Sequence, residues 1–357
     1  MAPIRTAIIG FGTSGRVFHG PLLAANPEFS VDLIVTSDPV RSDAARAQHP
    51  TARVVPTVDD LFDQAGDLDL IVIGSPPKTH AEIALRAIDA GLAVVVDKPF
   101  TATSAEGRTV IDRAVAKNVP LTVFQNRRWD ADFLTLQDLV ADGALGDVHR
   151  FESRFEWWKP TPSKEWKATT TADHGGGILF DLGTHLLDQA LRLFGEVDEI
   201  WAELDVRNPR NSAEDDAFVA LRHVSGARTH LWMSSVAGQG GPRFRVLGSQ
   251  SAYTKWGLDL QEARLVGGAS PADPDYGVEP ESAWGQLGIG ADAVGVPARR
   301  GSYDEFYTLL ADALLRGDPL PVDPHDSLRV IELIERIRAV AADPRSADPA
   351  PATSSAS

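Results

Sequence analysis

The sequence predicts two joined units: an α/β domain with a doubly wound, mostly parallel sheet, then an α+β domain with a large open, mostly antiparallel sheet. Three observations predict this. The first third alternates short apolar strands with amphipathic helices, and βαβ alternation produces right-handed crossovers and a parallel sheet. A glycine fingerprint, Gly10-Phe11-Gly12-Thr13-Ser14-Gly15, stands between the first strand and the first helix. From Val197 onward strand-like segments follow one another without helices, and such strands pair antiparallel.

In order, Ile4 enters the strand Thr6–Gly10, and the helix Arg16–Asn26 ends at Asn26-Pro27. Val31–Thr36 is the second strand and Arg41–Gln48 a helical piece. Asp69–Gly74 and Ala93–Val96 are continuous apolar runs, the pattern of strands covered on both faces. Thr79–Ala90 is the helix between them, capped by Thr79 and stopped by Gly91. Ser104–Lys117 is amphipathic and Leu121–Gln125 closes the unit, so the first domain is read as 1–124 and the second as 125–342. In the second, Trp129–Ala141 and Gly183–Phe194 are helical and Asp147–Trp158 alternates as a strand. Val197–Val206, Asp216–Arg222, Arg228–Ser234, Arg243–Leu247 and Ala252–Trp256 are further strands. Gly267–Arg300, rich in Gly, Pro and Asp, reads as one long loop. The helices Tyr303–Leu315 and Ser327–Val340 flank Gly317-Asp318-Pro319, and the tail from Asp343 has the composition of a disordered segment.

The 357 residues, 43% of them apolar, can fill two cores. No apolar run approaches the length of a membrane span, about 18 residues, so no membrane association is expected. With no cysteine, disulfides and thiolate metal sites are excluded. The amino terminus lacks a signal-peptide layout, which points to the cytoplasm. A net charge of −16, from 34 basic against 50 acidic side chains, repels nucleic acid. An anionic cofactor must therefore be held by backbone dipoles and a few placed cations.

The fingerprint has the context it needs, a strand before it and a helix after it. Gly10 allows the tight turn, Gly12 lets backbone approach a diphosphate, and Gly15 lets helix and strand pack closely. The diphosphate would rest on the helix amino terminus near Ser14. This is the layout of a Rossmann domain. An acid at the end of the second strand binds ribose hydroxyls; a small polar residue with a cation nearby admits a 2′-phosphate. Here Ser37 takes the place of the acid, Asp38 follows, and Arg41 is within reach, which favours NADP while leaving NAD possible. The alternative is that Asp38 and Arg41 only cap the next helix. Ser75-Pro76-Pro77-Lys78-Thr79-His80 would run along the nicotinamide side, with His80 a packing or cofactor-contacting residue.

Oxidising a secondary alcohol needs a hydride acceptor, a proton acceptor, and a group stabilising alkoxide character. Lys98, after the strand Ala93–Val96 and between Asp97 and Pro99, points into the crevice where open α/β sheets bind ligands. Asp181 and His185 lie one helical turn apart and share a face. Gly175-Gly176-Gly177 before them lets backbone approach a ligand, and Asp188 could orient the His185 ring. Each has a plainer reading: Lys98 paired to Asp97, Asp181 a helix cap, His185 a satisfied core histidine. Two ligands without a third make a poor metal site, so none is expected. Gln125 and Arg128 leave the last strand toward the same crevice, Gln125 expected at the cofactor and Arg128 at cofactor and substrate, while at least one of Arg127 and Arg128 would instead tie the domains together. Trp157, Trp158 and Lys159 could form an aromatic wall for a sugar ring, whereas Trp129 and Trp166 read as core or interface.

At these residues the chain resembles the glucose–fructose oxidoreductase / inositol dehydrogenase (Gfo/Idh/MocA) family over nearly its whole length. The motifs are Gly10–Gly15, Asp97-Lys98-Pro99, and Gly175 through Asp188. Asn126-Arg127-Arg128-Trp129-Asp130 and Gly301–Tyr307 are similar to its branch of NADP-dependent scyllo-inositol dehydrogenases. The resemblance implies Lys98, Asp181 and His185 as the catalytic set, with a polyol or sugar as substrate. It also implies a homodimer or homotetramer joined through the open face of the carboxyl-terminal sheet. Redox-assisted glycoside cleavage, and cofactor binding without chemistry, are the rival expectations.

Overall fold

A computed structural model describes residues 2–161, 169–172 and 175–342. Trp166 and the tail from Asp343 lie outside the described residues. Six parallel strands form the first sheet: β1 (Ile4–Ile9), β2 (Phe29–Val35), β3 (Arg53–Val55), β4 (Leu70–Ile73), β5 (Ala93–Asp97) and β6 (Leu121–Phe124). Their order, β3-β2-β1-β4-β5-β6, reverses between β1 and β4. Sheets of this order bind ligands at the reversal, beyond the carboxyl ends of the strands. β4 is buried throughout, as the apolar run Leu70–Ile73 requires. Between the strands run α1 (Gly20–Ala25), α2 (Pro39–Gln48), α3 (Val58–Phe62), α4 (His80–Asp89) and α5 (Ser104–Lys117). A wide π-type turn, Ser14–His19, leads into α1. α5 starts on a capping box in which Thr103 and Glu106 satisfy each other's backbone N–H groups. β3 and α3 are short and were not predicted.

The second sheet has eight strands in the order β14-β13-β12-β11-β7-β10-β9-β8. They are β7 (Val148–Glu156), β8 (Val197–Asp205), β9 (Asp216–His223), β10 (Arg228–Ser234), β11 (Phe244–Gly248), β12 (Ala252–Lys255), β13 (Gly285–Gly288) and β14 (Val294–Val296). All pairs are antiparallel except β7 with β10. β13 and β14 correct the expectation of one long loop over Gly267–Arg300. These short strands pair through their backbones, and Gly285 is there because a Cβ would lie 2.2 Å from the Tyr253 hydroxyl. Side-chain alternation is too brief to announce them.

One face of this sheet is covered by α6 (Ala131–Ala141), α7 (Thr184–Phe194) and α10 (Pro324–Ala341). Phe133, Leu186, Leu187, Ile331 and Ile334 pack there on Phe151, Val219 and Leu231. The short helix α8 (Gln261–Val266) puts Leu265 into the core of the parallel sheet. The helix α9 (Tyr303–Arg316) packs there too: Tyr303, Phe306, Tyr307 and Leu310 join Ile8, Leu22 and Phe124 in the core of the parallel sheet. The chain thus returns to the first half before its last helix crosses to the second, against the consecutive order read from the sequence.

Candidate functional site

At the reversal between β1 and β4, Gly10 has φ +91°, and a Cβ on it would lie 2.8 Å from the Gly74 carbonyl oxygen. A Cβ on Gly15 would lie 2.2 Å from the Gly10 oxygen, so the turn packs tightly against the strand end. Gly12 differs: a Cβ there would meet nothing closer than the Arg41 guanidinium at 3.8 Å. That opening is where a diphosphate would approach backbone. Ser14 Oγ is buried with no hydrogen-bond partner. Phe11 turns inward, edge-on to His49, leaving its backbone to the loop, while Thr13 is exposed.

After β2, Asp38 caps α2 by accepting from the Arg41 N–H at 3.0 Å. The Arg41 guanidinium stands 3.9 Å from that carboxylate and leans over the glycine loop, with Ser37 exposed beside it. Arg41 is therefore more than a cap. After β4, the expected side-chain cap by Thr79 is absent; its hydroxyl donates to the Pro76 carbonyl and meets Ser75 Oγ at 2.6 Å. His80 is buried between carbonyls, Nε2 2.8 Å from Ser75 O and Nδ1 2.9 Å from Pro99 O. It straps the β4 loop to the β5 loop.

Lys98 follows β5, its N–H bonded to the Asp97 carboxylate at 2.8 Å, and its bond to Pro99 is cis. Its ammonium is not paired with Asp97. It crosses to the second half and donates to the Asp181 carbonyl at 2.8 Å and carboxylate at 3.2 Å. Asp181 lies in a second wide turn, Leu179–Gly183, which runs directly into α7 and so begins the helix earlier than Gly183. His185, on the first turn of α7, is buried, and among the described residues its Nδ1 has no hydrogen-bond partner. Burial, then the positive charges of Lys98, Arg127 and Arg243, hold its pKa well below the usual imidazole value. It is neutral at pH 7.

The surroundings of His185 correct several expectations. Asp188 does not orient the ring: both its oxygens take the Arg128 guanidinium, at 2.8 and 2.6 Å, and Arg128 also reaches Asp326 at 3.1 Å. Arg128, expected at cofactor and substrate, is instead buried in this ion cluster, which fastens the end of β6 to α7 and α10. Gln125 is likewise buried, with Nε2 3.4 Å from Ser327 Oγ. Trp158 points to solvent at 62% exposure, and its neighbour Trp157 faces the cavity beside Asp181. Trp129 is core, against Phe306. Gly175, Gly176 and Gly177 make room for protein: their missing Cβ atoms would meet Phe180 at 2.9 Å, the Thr170 carbonyl at 2.1 Å and Glu214 at 2.2 Å.

Sequence reasoning missed Arg243. Its guanidinium lies 4.2 Å from the Phe155 ring centre, with Arg127 at 4.9 Å, and that ring meets His185 edge-on at 6.2 Å. Arg243 also donates to Gln189, one turn beyond His185. Nothing local in the sequence marks an arginine on β11's approach as a neighbour of His185.

A cavity of about 930 Å³ opens beside the Lys98–Asp181 pair, near the upper end of ordinary ligand pockets. Asp181, Pro99 and Trp157 line it, and Lys98 bonds to Asp181. Among the described residues no helix is long and apolar enough to cross a membrane, and no cluster fits a metal.

Comparison with known proteins accords with this geometry. Residues 4–125 match the model of the oxidoreductase family with an NAD-binding Rossmann fold, and residues 133–254 that of the GFO/IDH/MocA C-terminal domain. The chain is 34% identical to scyllo-inositol 2-dehydrogenase (NADP(+)) of Bacillus subtilis (strain 168), over 93% of this chain and 92% of that one. It is 36% identical to the uncharacterized oxidoreductase YdgJ of Escherichia coli (strain K12), over 93% and 94%. The solved structure of the oxidoreductase yvaA from Bacillus subtilis superposes with TM-score 0.89 at 31% identity, over 95% of this chain and 96% of that one. With both halves matched and the likeness running along nearly the whole chain, this protein belongs to the Gfo/Idh/MocA family of NAD-binding Rossmann oxidoreductases.

Proposed function

We propose that the protein is an NADP-dependent dehydrogenase that moves a hydride between the secondary alcohol of a cyclitol or sugar, scyllo-inositol-like in its ring of hydroxyls, and nicotinamide. One observation carries it: the ammonium of Lys98, from the nucleotide half, meets Asp181 one turn before the neutral imidazole of His185. A cation and a proton acceptor are thus held together from opposite halves.

Gly10–Gly15 would hold the diphosphate, and Ser37 with Arg41 the 2′-phosphate, since Asp38 is committed to capping α2. Nicotinamide, when bound, supplies the hydride acceptor or donor. The residues of the chain do the rest. In the oxidative direction the substrate hydroxyl gives its proton to His185, and Lys98 hydrogen-bonds the reacting oxygen as negative charge develops there. Asp181 keeps the ammonium aimed. Because burial, and then nearby cations, disfavour its charged form, His185 is a neutral acceptor at pH 7 and, once protonated, a ready donor for the reverse direction. Holding these groups in one place supplies much of the acceleration.

The name of the Bacillus subtilis relative, an NADP-linked scyllo-inositol dehydrogenase, supports both cofactor and substrate class. The outer face of the second sheet carries the row Trp201, Phe218 and Trp232, with Arg154 stacked 3.8 Å from the Trp232 ring centre. An aromatic face of this kind suits a homodimer or homotetramer. We place the reaction in the cytoplasm, with which a chain lacking cysteine is compatible.

The test is absorbance of reduced nicotinamide while inositols, aldoses and glycosides are screened with each cofactor. Lys98→Ala should lower turnover about 100-fold or more while NADP affinity stays near that of the parent. Near-normal turnover in that variant ends the assignment. A strong preference for NAD would reject the role given to Ser37 and Arg41.

A further inference from the structure

Among the described residues three acids line the cavity beside Asp181, and each is already answered from within the protein. Asp181 takes Lys98 at 3.2 Å, and Glu214 takes Arg338 at 3.3 Å. Asp215 accepts the Arg207 N–H at 2.7 Å, the Asn208 N–H at 3.0 Å and the Asn211 side-chain amide at 2.9 Å. Two lysines line the same cavity, Lys78 from the nucleotide half and Lys159 from the other. Among the described residues neither has a carboxylate within 4.0 Å.

Both are exposed, on backbone held by its neighbours. Lys78 sits in the tight turn Pro77–Thr79, behind Pro76 and Pro77 and ahead of the strapped His80. Lys159 lies against Trp157, with its ammonium 5.1 Å from the ring centre. In a chain of net charge −16, two lysines that line one cavity from opposite halves, with no acid partner among the described residues, mark a place for a negative charge. Thr161, Asn211 and Ser235 on the same wall offer hydroxyl and amide groups of the kind that hold a polyol. Desolvating a ligand anion needs charged donors, which these lysines supply.

We infer that the substrate is an anionic polyol, a sugar acid or a phosphorylated sugar or cyclitol, whose carboxylate or phosphate is met by Lys78 and Lys159. The inference rests on the dehydrogenase reading above for the chemistry at Lys98 and His185, and narrows its substrate from polyols in general to acidic ones.

The test uses the full chain saturated with NADPH, whose fluorescence reports a second ligand. Glucuronate is compared with glucose, and inositol 1-phosphate with myo-inositol, in the parent, Lys78→Met and Lys159→Met proteins. Hydride transfer is followed in parallel with NADP and the same four compounds. At least one acid should bind about tenfold or more tightly than its neutral partner, with that advantage falling as salt is raised. Each substitution should cut the advantage about tenfold. Acids that bind no better than their neutral partners overturn the inference, and hydride transfer from the neutral compounds would then leave the dehydrogenase reading standing. Acid-selective binding that depends on the lysines, without hydride transfer from any compound, keeps the anion site and removes the dehydrogenase reading. A Lys78→Met protein that loses affinity for NADPH, with the acid advantage unchanged, assigns that ammonium to the cofactor and also overturns the inference.

Discussion

Two glycine-rich segments, Gly10–Gly15 and Gly175–Gly177, stand on opposite halves of the molecule, and each leads into a wide helical turn near a buried histidine. In the first, Gly12 leaves space that only Arg41 approaches. In the second, every missing Cβ is a place where protein already sits, and Arg338 closes the back by donating to the Ala172 and Gly176 carbonyls at 2.6 and 2.8 Å. Gly10 and Gly15 are close-packed too, so the contrast rests on Gly12, whose side faces open space, against three glycines packed on protein. Composition is blind to this difference.

The largest effect that would sharpen the contrast lies behind the second loop. If Arg128 is structural support, Arg128→Met leaves Asp188 buried without its partner and should cost about 3–5 kcal/mol of stability, read by thermal or urea unfolding. A stable variant with weakened NADP binding would instead return Arg128 to the ligand side. Next in size, Gly177→Ala places a side chain at φ +95° against Glu214, and should cost about 2–4 kcal/mol with cofactor affinity retained. Gly12→Ala should do the reverse, weakening NADP about tenfold or more while the unfolding midpoint barely moves. Equal behaviour of the two variants in both assays breaks the comparison.

A further effect concerns pH. His19, at the end of the first turn, is buried with Nδ1 2.7 Å from the Tyr307 hydroxyl, and burial lowers its pKa to about 4. A depressed imidazole pKa leaves stability whole above 6.5, the value in the unfolded chain. As pH falls from there toward 4, the unfolded chain binds a proton that the folded ring refuses. Each such group then costs about 1.4 kcal/mol per pH unit, or about 3 kcal/mol for His19 across the window. His185, lowered for the same reason, adds in the same direction. His19→Gln should flatten the urea midpoint's dependence on pH below 6.5 by close to one proton's worth; an unaltered slope would place the effect in other histidines.

Much of the site was legible because its signals are local. A strand end followed by Lys98-Pro99 sets the lysine at the crevice, and four-residue spacing sets Asp181 and His185 on one helix face whether the first turn is α or slightly wider. What local spacing could not show was which charge each long side chain would find. Arg128 and Asp188 stand sixty positions apart and bond in a pocket that exists only after α7 and α10 pack on β6. Trp157 and Trp158 are adjacent and alike; only the strand's register turns the first toward the cavity and the second toward solvent.

The order of apolar runs, the fingerprint and the motif spacing by themselves determined a parallel nucleotide-binding half and an open-sheet half, and put Lys98 at a strand end and Asp181 and His185 on one helix face. They did so because strand and helix periodicities, and the steric freedom of glycine, act within a few residues of chain. Tertiary structure alone decided that α9 returns to the first core, that Gly267–Arg300 adds two edge strands, that the second glycine loop is filled with protein, and that Lys78 and Lys159 line one cavity. An amphipathic helix carries no mark of which sheet it will cover. A charged side chain carries none of which partner, hundreds of atoms away, will or will not be there.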